Sequence, residues 1–291
     1  MNIQVNIENL RRDVQTLAAI VPPRNARNVA SLDESAKYII EEFRRTGGRV
    51  EIQRFTQDGE EYKNVICSFG PELGERIIVG AHYDVWGNLP GADDNASGVA
   101  GLLELCRLVQ SLKTELKCRT DFVAYTLEEG QWFKHPFARH YGSYIHAKSL
   151  SQARISVRAM ICLEMIGYFS DRPNSQKYPL PFMRWSYPDK GNFIAVVGKW
   201  GQGWLVQKVK ETLTASSKVP VESLTAMSFV PGIGSSDHQS YWKFDYPAIM
   251  ITDTGYLRSK NYHKPSDMPD TLDYDTMAEV VEGLYATIIQ M

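Results

Sequence analysis

Short, nearly unbroken apolar runs alternate along this chain with longer amphipathic stretches. Residues 76–82 (R-I-I-V-G-A-H), 120–127 (T-D-F-V-A-Y-T-L), 156–163, 193–197 and 247–251 have the length and composition of buried strands. Residues 49–55 and 62–68 also have strand character, and the turn Q-D-G-E between them predicts a hairpin. Helices are predicted over 6–20, 32–46, 96–112, 141–150, 203–216 and from about 271 onward. The helix at 96–112 carries its apolar side on Leu102, Leu103, Leu105, Cys106, Leu108 and Val109. For 32–46, Ser31 and Asp33 are the cap candidates and Gly47-Gly48 the stop. A polar excursion rich in Pro and Tyr occupies 169–190. Strands alternating with helices predict an α/β fold, a mixed, mostly parallel β-sheet sandwiched between α-helices. In such sheets ligands bind at the carboxyl ends of strands.

Composition changes little. At 43% hydrophobic and 23% charged the chain is ordinary globular material with enough for a sizeable core. Its 291 residues suit one large α/β domain or two small ones. With no repeat or low-complexity linker, 1–291 reads as a single domain. A net charge of −2 gives no reason to expect nucleic acid or an anionic membrane surface. No stretch approaches the roughly 20 apolar residues of a membrane span. The start M-N-I-Q-V-N-I-E lacks the basic and long apolar parts of an export signal, which predicts a cytoplasmic chain. Cys67, Cys106, Cys118 and Cys162 form no C-x-x-C pair and are expected as reduced, buried thiols.

The polar residues that close the apolar runs change the picture more. His82 and Asp84 form an H-x-D unit after a strand, readable as a ligand with its orienting partner or as a hydrogen-bonded turn. Asp93 and Asp94 lie in G-A-D-D-N-A-S-G at the start of a helix. They are more acid than an N-cap needs, and Asn95 and Ser97 already offer caps. Glu128 and Glu129 close a buried strand, where two carboxylates repel each other unless a cation lies near. Side chains alternate along a strand, so both face one site only if the strand breaks, and Gly130 allows that break. Glu164 in C-L-E-M-I-G stands alone among apolar residues and needs a metal or an arginine as partner. His263 in N-Y-H-K-P-S-D would by itself pass for a surface histidine. Together, two histidines and three carboxylates can hold two divalent ions about 3.5–4 Å apart, a device for hydrolysis.

H-x-D, G-A-D-D-N-A-S-G, L-E-E-G, L-E-M-I-G-Y, S-S-D-H-Q-S-Y-W and N-Y-H-K-P-S-D-M-P-D-T-L-D occur here in that order. The set resembles the co-catalytic two-zinc aminopeptidases, a family that also includes glutaminyl cyclases and glutamate carboxypeptidase-like proteins. The resemblance runs from about residue 32 to the C-terminus. It implies a zinc-exopeptidase fold and two zinc ions per chain, with a peptide or small aminoacyl substrate. By the same resemblance Asp93 bridges the zincs, His82 and Glu164 complete one site, and Glu129 and His263 complete the other. Glu128 is then the general base and Tyr262 the oxyanion donor. Asp84 orients His82, Asp94 and Asp237 stand in support, and the Asp93–Asp94 peptide is a candidate cis bond. Asp237 and His238 equally suit the N-cap of a helix starting near Gln239.

Two departures from the family pattern bear on specificity. Glu164 stands where many aminopeptidases of the family have aspartate. An insertion over 130–141, carrying Trp132, Phe133 and Phe137, is similar in length to that of glutaminyl cyclases. It would sit over the site and shape an apolar pocket, or simply pack against the body. Aminopeptidase action is therefore the leading expectation. Glutaminyl cyclisation is the alternative, opposed by the complete G-A-D-D-N-A-S-G turn and by Tyr262 where cyclases typically have tryptophan. A carboxypeptidase or dipeptidase of the same family, or a non-catalytic member, are the further alternatives.

Overall fold

The run Arg76–His82 is apolar on both faces because it forms a central strand with cover on each side. The computed structural model describes residues 4–112, 116–129 and 141–291. Within it the strands are β1 (Arg49–Gln57), β2 (Glu60–Phe69), β3 (Arg76–His82), β4 (Arg119–Tyr125), β5 (Val157–Leu163), β6 (Ile194–Lys199), β7 (Val221–Ala226) and β8 (Ala248–Thr252). They form one eight-stranded sheet in the order β1-β2-β4-β3-β5-β8-β6-β7. The pairs β4/β3, β3/β5, β5/β8 and β6/β7 are parallel; β1/β2, β2/β4 and β6/β8 are antiparallel. The expected hairpin joins β1 and β2 through Asp58 (φ 52°) and Gly59 (φ 86°), a two-residue turn whose twist matches the strands.

Alternation along the strands divides the core. Ile77, Val79 and Ala81 face helices α1 (Ile7–Ala18), α2 (Val29–Arg45), α3 (Gly98–Gln110), α5 (Gly203–Ser216) and α7 (Tyr274–Gln290). Ile78, Val123, Tyr125, Met160 and Cys162 face α4 (Tyr141–Gln152) and the five-residue α6 (His238–Trp242). On that second side His146 accepts a hydrogen bond from Tyr241, whose hydroxyl also meets Tyr125 at 2.6 Å. Burial there pushes the His146 pKa down to about 4, so the imidazole is neutral. All four cysteines are buried and free of disulfides. No helix among the described residues is long and apolar enough to cross a membrane.

The structure differs from expectation at two points. The second helix begins at Val29, so Ser31 and Asp33 lie inside it rather than at its cap. Asn28 occupies the boundary, but its side chain bonds to Pro23 and Asn25 instead of capping. Strand β7 (V-E-S-L-T-A) goes unpredicted because Val221 and Leu224 are its only large apolar residues, too few to form a run. Gly130, Trp132, Phe133 and Phe137, on which a strand break and a pocket-forming insertion were expected, lie outside the described residues.

Candidate metal centre

Three neighbouring parallel strands, β4, β3 and β5, end side by side and deliver Glu128-Glu129, His82 and Glu164 to one rim of the sheet. The chain must turn sharply to do so. Leu127, Met165 and His263 take positive φ (61°, 55° and 52°) beside the residues they present. Such conformations cost about 1–2 kcal/mol each in a non-glycine residue and recur at functional sites. The break that frees both glutamates from strand alternation therefore lies at Leu127.

Asp94 is the common member of two clusters, His82/Asp94/Glu164 and Asp94/Glu129/His263, each with ligand atoms within 4.8 Å of one another. Its Oδ1 lies 3.5 Å from His82 Nε2, which is 3.3 Å from Glu164 Oε2. Its Oδ2 lies 3.1 Å from His263 Nε2, which is 2.8 Å from Glu129 Oε1. One carboxylate thus gives one oxygen to each cluster. His82 Nε2 and both Asp94 oxygens are buried without a hydrogen-bond partner among the described residues. A buried acceptor left unpaired is expensive, and one cation in each cluster would relieve all three. Imidazole nitrogen with carboxylate oxygens is a donor set that suits zinc.

This corrects the assignment of Asp93. Its Oδ1 accepts from Gly167 N at 3.0 Å, and its carboxyl faces Asp253 and Asp267 rather than the clusters. Burial, then the charges of Asp253 and Asp267, push its pKa well up. The cis peptide is Asp94–Asn95, one bond later than expected. Gly91 sets this course: at φ 59° a β-carbon there would come within 2.2 Å of Val85 and 2.3 Å of the Asp94 carbonyl oxygen.

Asp84 acts differently from the expectation. Its two carboxylate oxygens accept from the backbone N–H groups of Glu128 (3.0 Å) and Glu129 (2.9 Å). His82 Nδ1 lies closer to the Asp84 carbonyl (3.1 Å) than to its carboxylate (3.6 Å). Donation from Nδ1–H to that carbonyl leaves Nε2 free to bind metal. Replacing Asp84 by asparagine removes one of the two acceptors and releases one glutamate's backbone. Turnover and metal affinity are both expected to fall about 10–100-fold. A metal titration of the variant checks this, and unchanged affinity would remove Asp84 from the support of the site.

Burial pushes Glu128 well above the ordinary carboxylate range, and the charges of Glu164, Asp84 and Asp94 push it further against the opposing effect of His82. His82 is fully buried, which disfavours its charge, yet Glu164, Asp84 and Asp94 raise its pKa on balance. Asp94 is likewise buried, yet His263 and His82 hold its pKa below the usual value. His263, raised to about 10, resists its own desolvation through Asp94 and Glu129. This anion-rich field is one a divalent cation can take over from protons. His263 stacks on Trp86 (4.8 Å between centroids) and on Tyr262 (3.9 Å), which fixes its plane. Burial raises the Tyr262 pKa, and Asp94, Glu129 and Glu164 raise it further, so its hydroxyl keeps its proton to donate.

Several supporting residues escaped the sequence reading. Asp267 accepts from the backbone N–H of Asp93 (2.9 Å) and Asp94 (3.1 Å), pinning the shared ligand. It belongs to the quoted H-K-P-S-D motif, which was the available signal. Asn95 donates to Leu163 O (2.8 Å) and accepts from Met165 N (3.0 Å), bracketing Glu164. Ser236 donates to Glu164 Oε2 at 2.6 Å, so it is Ser236 of S-S-D-H that reaches a ligand. Asp237 lies buried at the head of α6, without a side-chain cap bond, where its charge acts on Cys162, Tyr125 and Tyr241. Arg24, buried in the stretch between the first two helices, donates to the carbonyls of Leu17, Tyr83, Pro90 and Gly91. It ties the first helix to the turn that carries Asp94.

Beside the clusters opens an apolar cavity of about 110 Å³, bounded at one end by Glu164 and Tyr262 and walled by Met165, Phe193, Val197, Met250 and Leu257. At the centre itself, the Glu164 and His263 side chains are 13% and 22% exposed.

Residues 64–288 match Peptidase family M28. The chain is 46% identical over 285 residues to an uncharacterized protein, YfbL, of Escherichia coli (strain K12), covering 95% of this chain and 86% of that one. It is 26% identical over 260 residues to leucine aminopeptidase 1 of Ajellomyces capsulatus, covering 85% of this chain and 60% of that protein's length. The Legionella pneumophila LapA aminopeptidase structure superimposes with a TM-score of 0.78 at 21% identity, covering 98% of this chain and 72% of that one. A Porphyromonas gingivalis glutaminyl cyclase superimposes at 0.75 with 19% identity, covering 99% of each chain. Both structures share this fold.

Proposed function

This chain belongs to peptidase family M28, and from that membership and the shape of the centre we propose that it is a two-zinc aminopeptidase. The carrying observation is Asp94, whose two oxygens each face a separate histidine–glutamate pair. Two zinc ions so held would polarise a substrate carbonyl and lower the pKa of water. His82, Asp94 and Glu164 would hold one, and Asp94, Glu129 and His263 the other. Glu128, its carboxyl made more basic by burial, accepts the proton of the attacking water and passes it to the leaving amine. Tyr262 donates its hydroxyl proton in a hydrogen bond to the oxygen that gains charge. The cavity bounded by Glu164 and Tyr262 receives the side chain of the substrate's first residue.

The relatives named leucine aminopeptidase support the terminal assignment. Hydrolysis of free aminoacyl substrates but not their N-acetylated forms is the expected result in a paired panel. Equal cleavage of acetylated substrates would sink the terminal assignment. Conversion of an N-terminal glutamine peptide to its pyroglutamyl form, with release of ammonia, would instead favour the cyclase chemistry of the glutaminyl cyclases that share the fold.

A further inference from the structure

The cavity beside Glu164 has a second carboxylate at its other end. Leu163 of β5 lies opposite Ile251 of β8, which places Glu164, the next residue, level with Thr252. Thr252 pairs with Ala195 of β6, and Ala195 pairs with Glu222 of β7. Glu164, Thr252, Ala195 and Glu222 therefore form one row across four strands, and all four line the cavity. Three strand spacings make the row roughly 14 Å long. Ala195 keeps the middle of the floor low. Met183, Phe193, Val197, Leu224 and Met250 supply apolar walls.

A carboxylate at the end of an apolar slot offers a cationic tip a charged partner there. Glu222 has Lys210 Nζ at 3.9 Å, a long pair between side chains 28% and 32% exposed. Pairs of that kind contribute little. Lys210 rises from α5, which packs on the other face of the sheet. Tyr178 and Tyr187, both lining the cavity, have raised pKa values, through burial first and the charge of Glu222 second. The acid's field is therefore felt inside the slot. Lysine and arginine match this profile, with apolar stems and charged tips.

We propose that the cavity selects substrates whose first residue is lysine or arginine, and that Glu222 is the specificity residue that receives the cationic tip. This rests on the aminopeptidase reading for its meaning, but the binding can be measured without turnover. Calorimetric titration of the zinc-loaded protein with free arginine, lysine and norleucine, which hold no bond for it to cleave, compares ligands of similar stem with and without the charge. The cationic amino acids are expected to bind about 10–100-fold more tightly than norleucine. High salt should narrow the gap. In Glu222→Gln the ratio is expected to fall close to one. Equal binding of all three amino acids by the wild-type protein, which needs no variant, overturns the proposal. So does a ratio that survives Glu222→Gln in a protein with unchanged circular dichroism. Charge-selective binding without hydrolysis of any aminoacyl substrate would leave Glu222 in its role and fail the aminopeptidase reading instead.

Discussion

Asp94→Asn is expected to strip the protein of metal and of activity together. The amide offers one oxygen where the carboxylate offers two, and its nitrogen presents hydrogens to the other cluster. That cluster loses an anionic ligand, and the remaining one loses its share of the charge. Metal content after dialysis should fall from about two ions per chain to one or fewer. Turnover should fall by at least 10²–10³, roughly what loss of a single well-placed charge-stabilising group costs. Asp93→Asn is the control that separates neighbouring acids. Asp93 points at Gly167 N, an acceptor role that the amide oxygen keeps, and its pKa is already pushed well up by burial. Its metal content should stay near that of the wild type. If Asp93→Asn lost the metal and Asp94→Asn kept it, the geometry described above would be wrong.

Glu128→Gln is expected to separate catalysis from metal binding. Glu128 belongs to neither ligand cluster, yet it stands beside Glu129, which belongs to one. Glutamine cannot take a proton from water, so kcat should drop about 10²–10⁴-fold, the usual contribution of a general base. Metal content should not change, because the backbone anchor from Asp84 to residues 128 and 129 is untouched. Glu129→Gln should do the reverse and lose affinity at the site shared with His263. Retained turnover in Glu128→Gln would move the base to another group. Metal loss there would mean that both glutamates act as ligands.

The chain's own pattern already determined the central sheet and most of the chemistry. β3, β4 and β5 are legible because strands covered on both faces must be apolar throughout, and such runs are conspicuous. The polar residues that end them are legible for the same reason, since a His or Glu closing an apolar run calls for a partner. What sequence could not resolve is which of two adjacent aspartates faces the centre. Asp93 and Asp94 are chemically equal, and only the route of the backbone through Gly91 and the Asp267 bonds turns one in and the other away. Arg24 and Asn95 were hidden similarly, because their partners are backbone groups that any residue could supply. Strand β7 was hidden because V-E-S-L-T-A offers only Val221 and Leu224 as large apolar residues. The row from Glu164 to Glu222 exists only through the order β5-β8-β6-β7, which sets distant segments side by side. Residue types and their periodicity are local, and they name the ligands. Strand order and backbone direction are global, and they decide which ligand is shared and where the cavity ends.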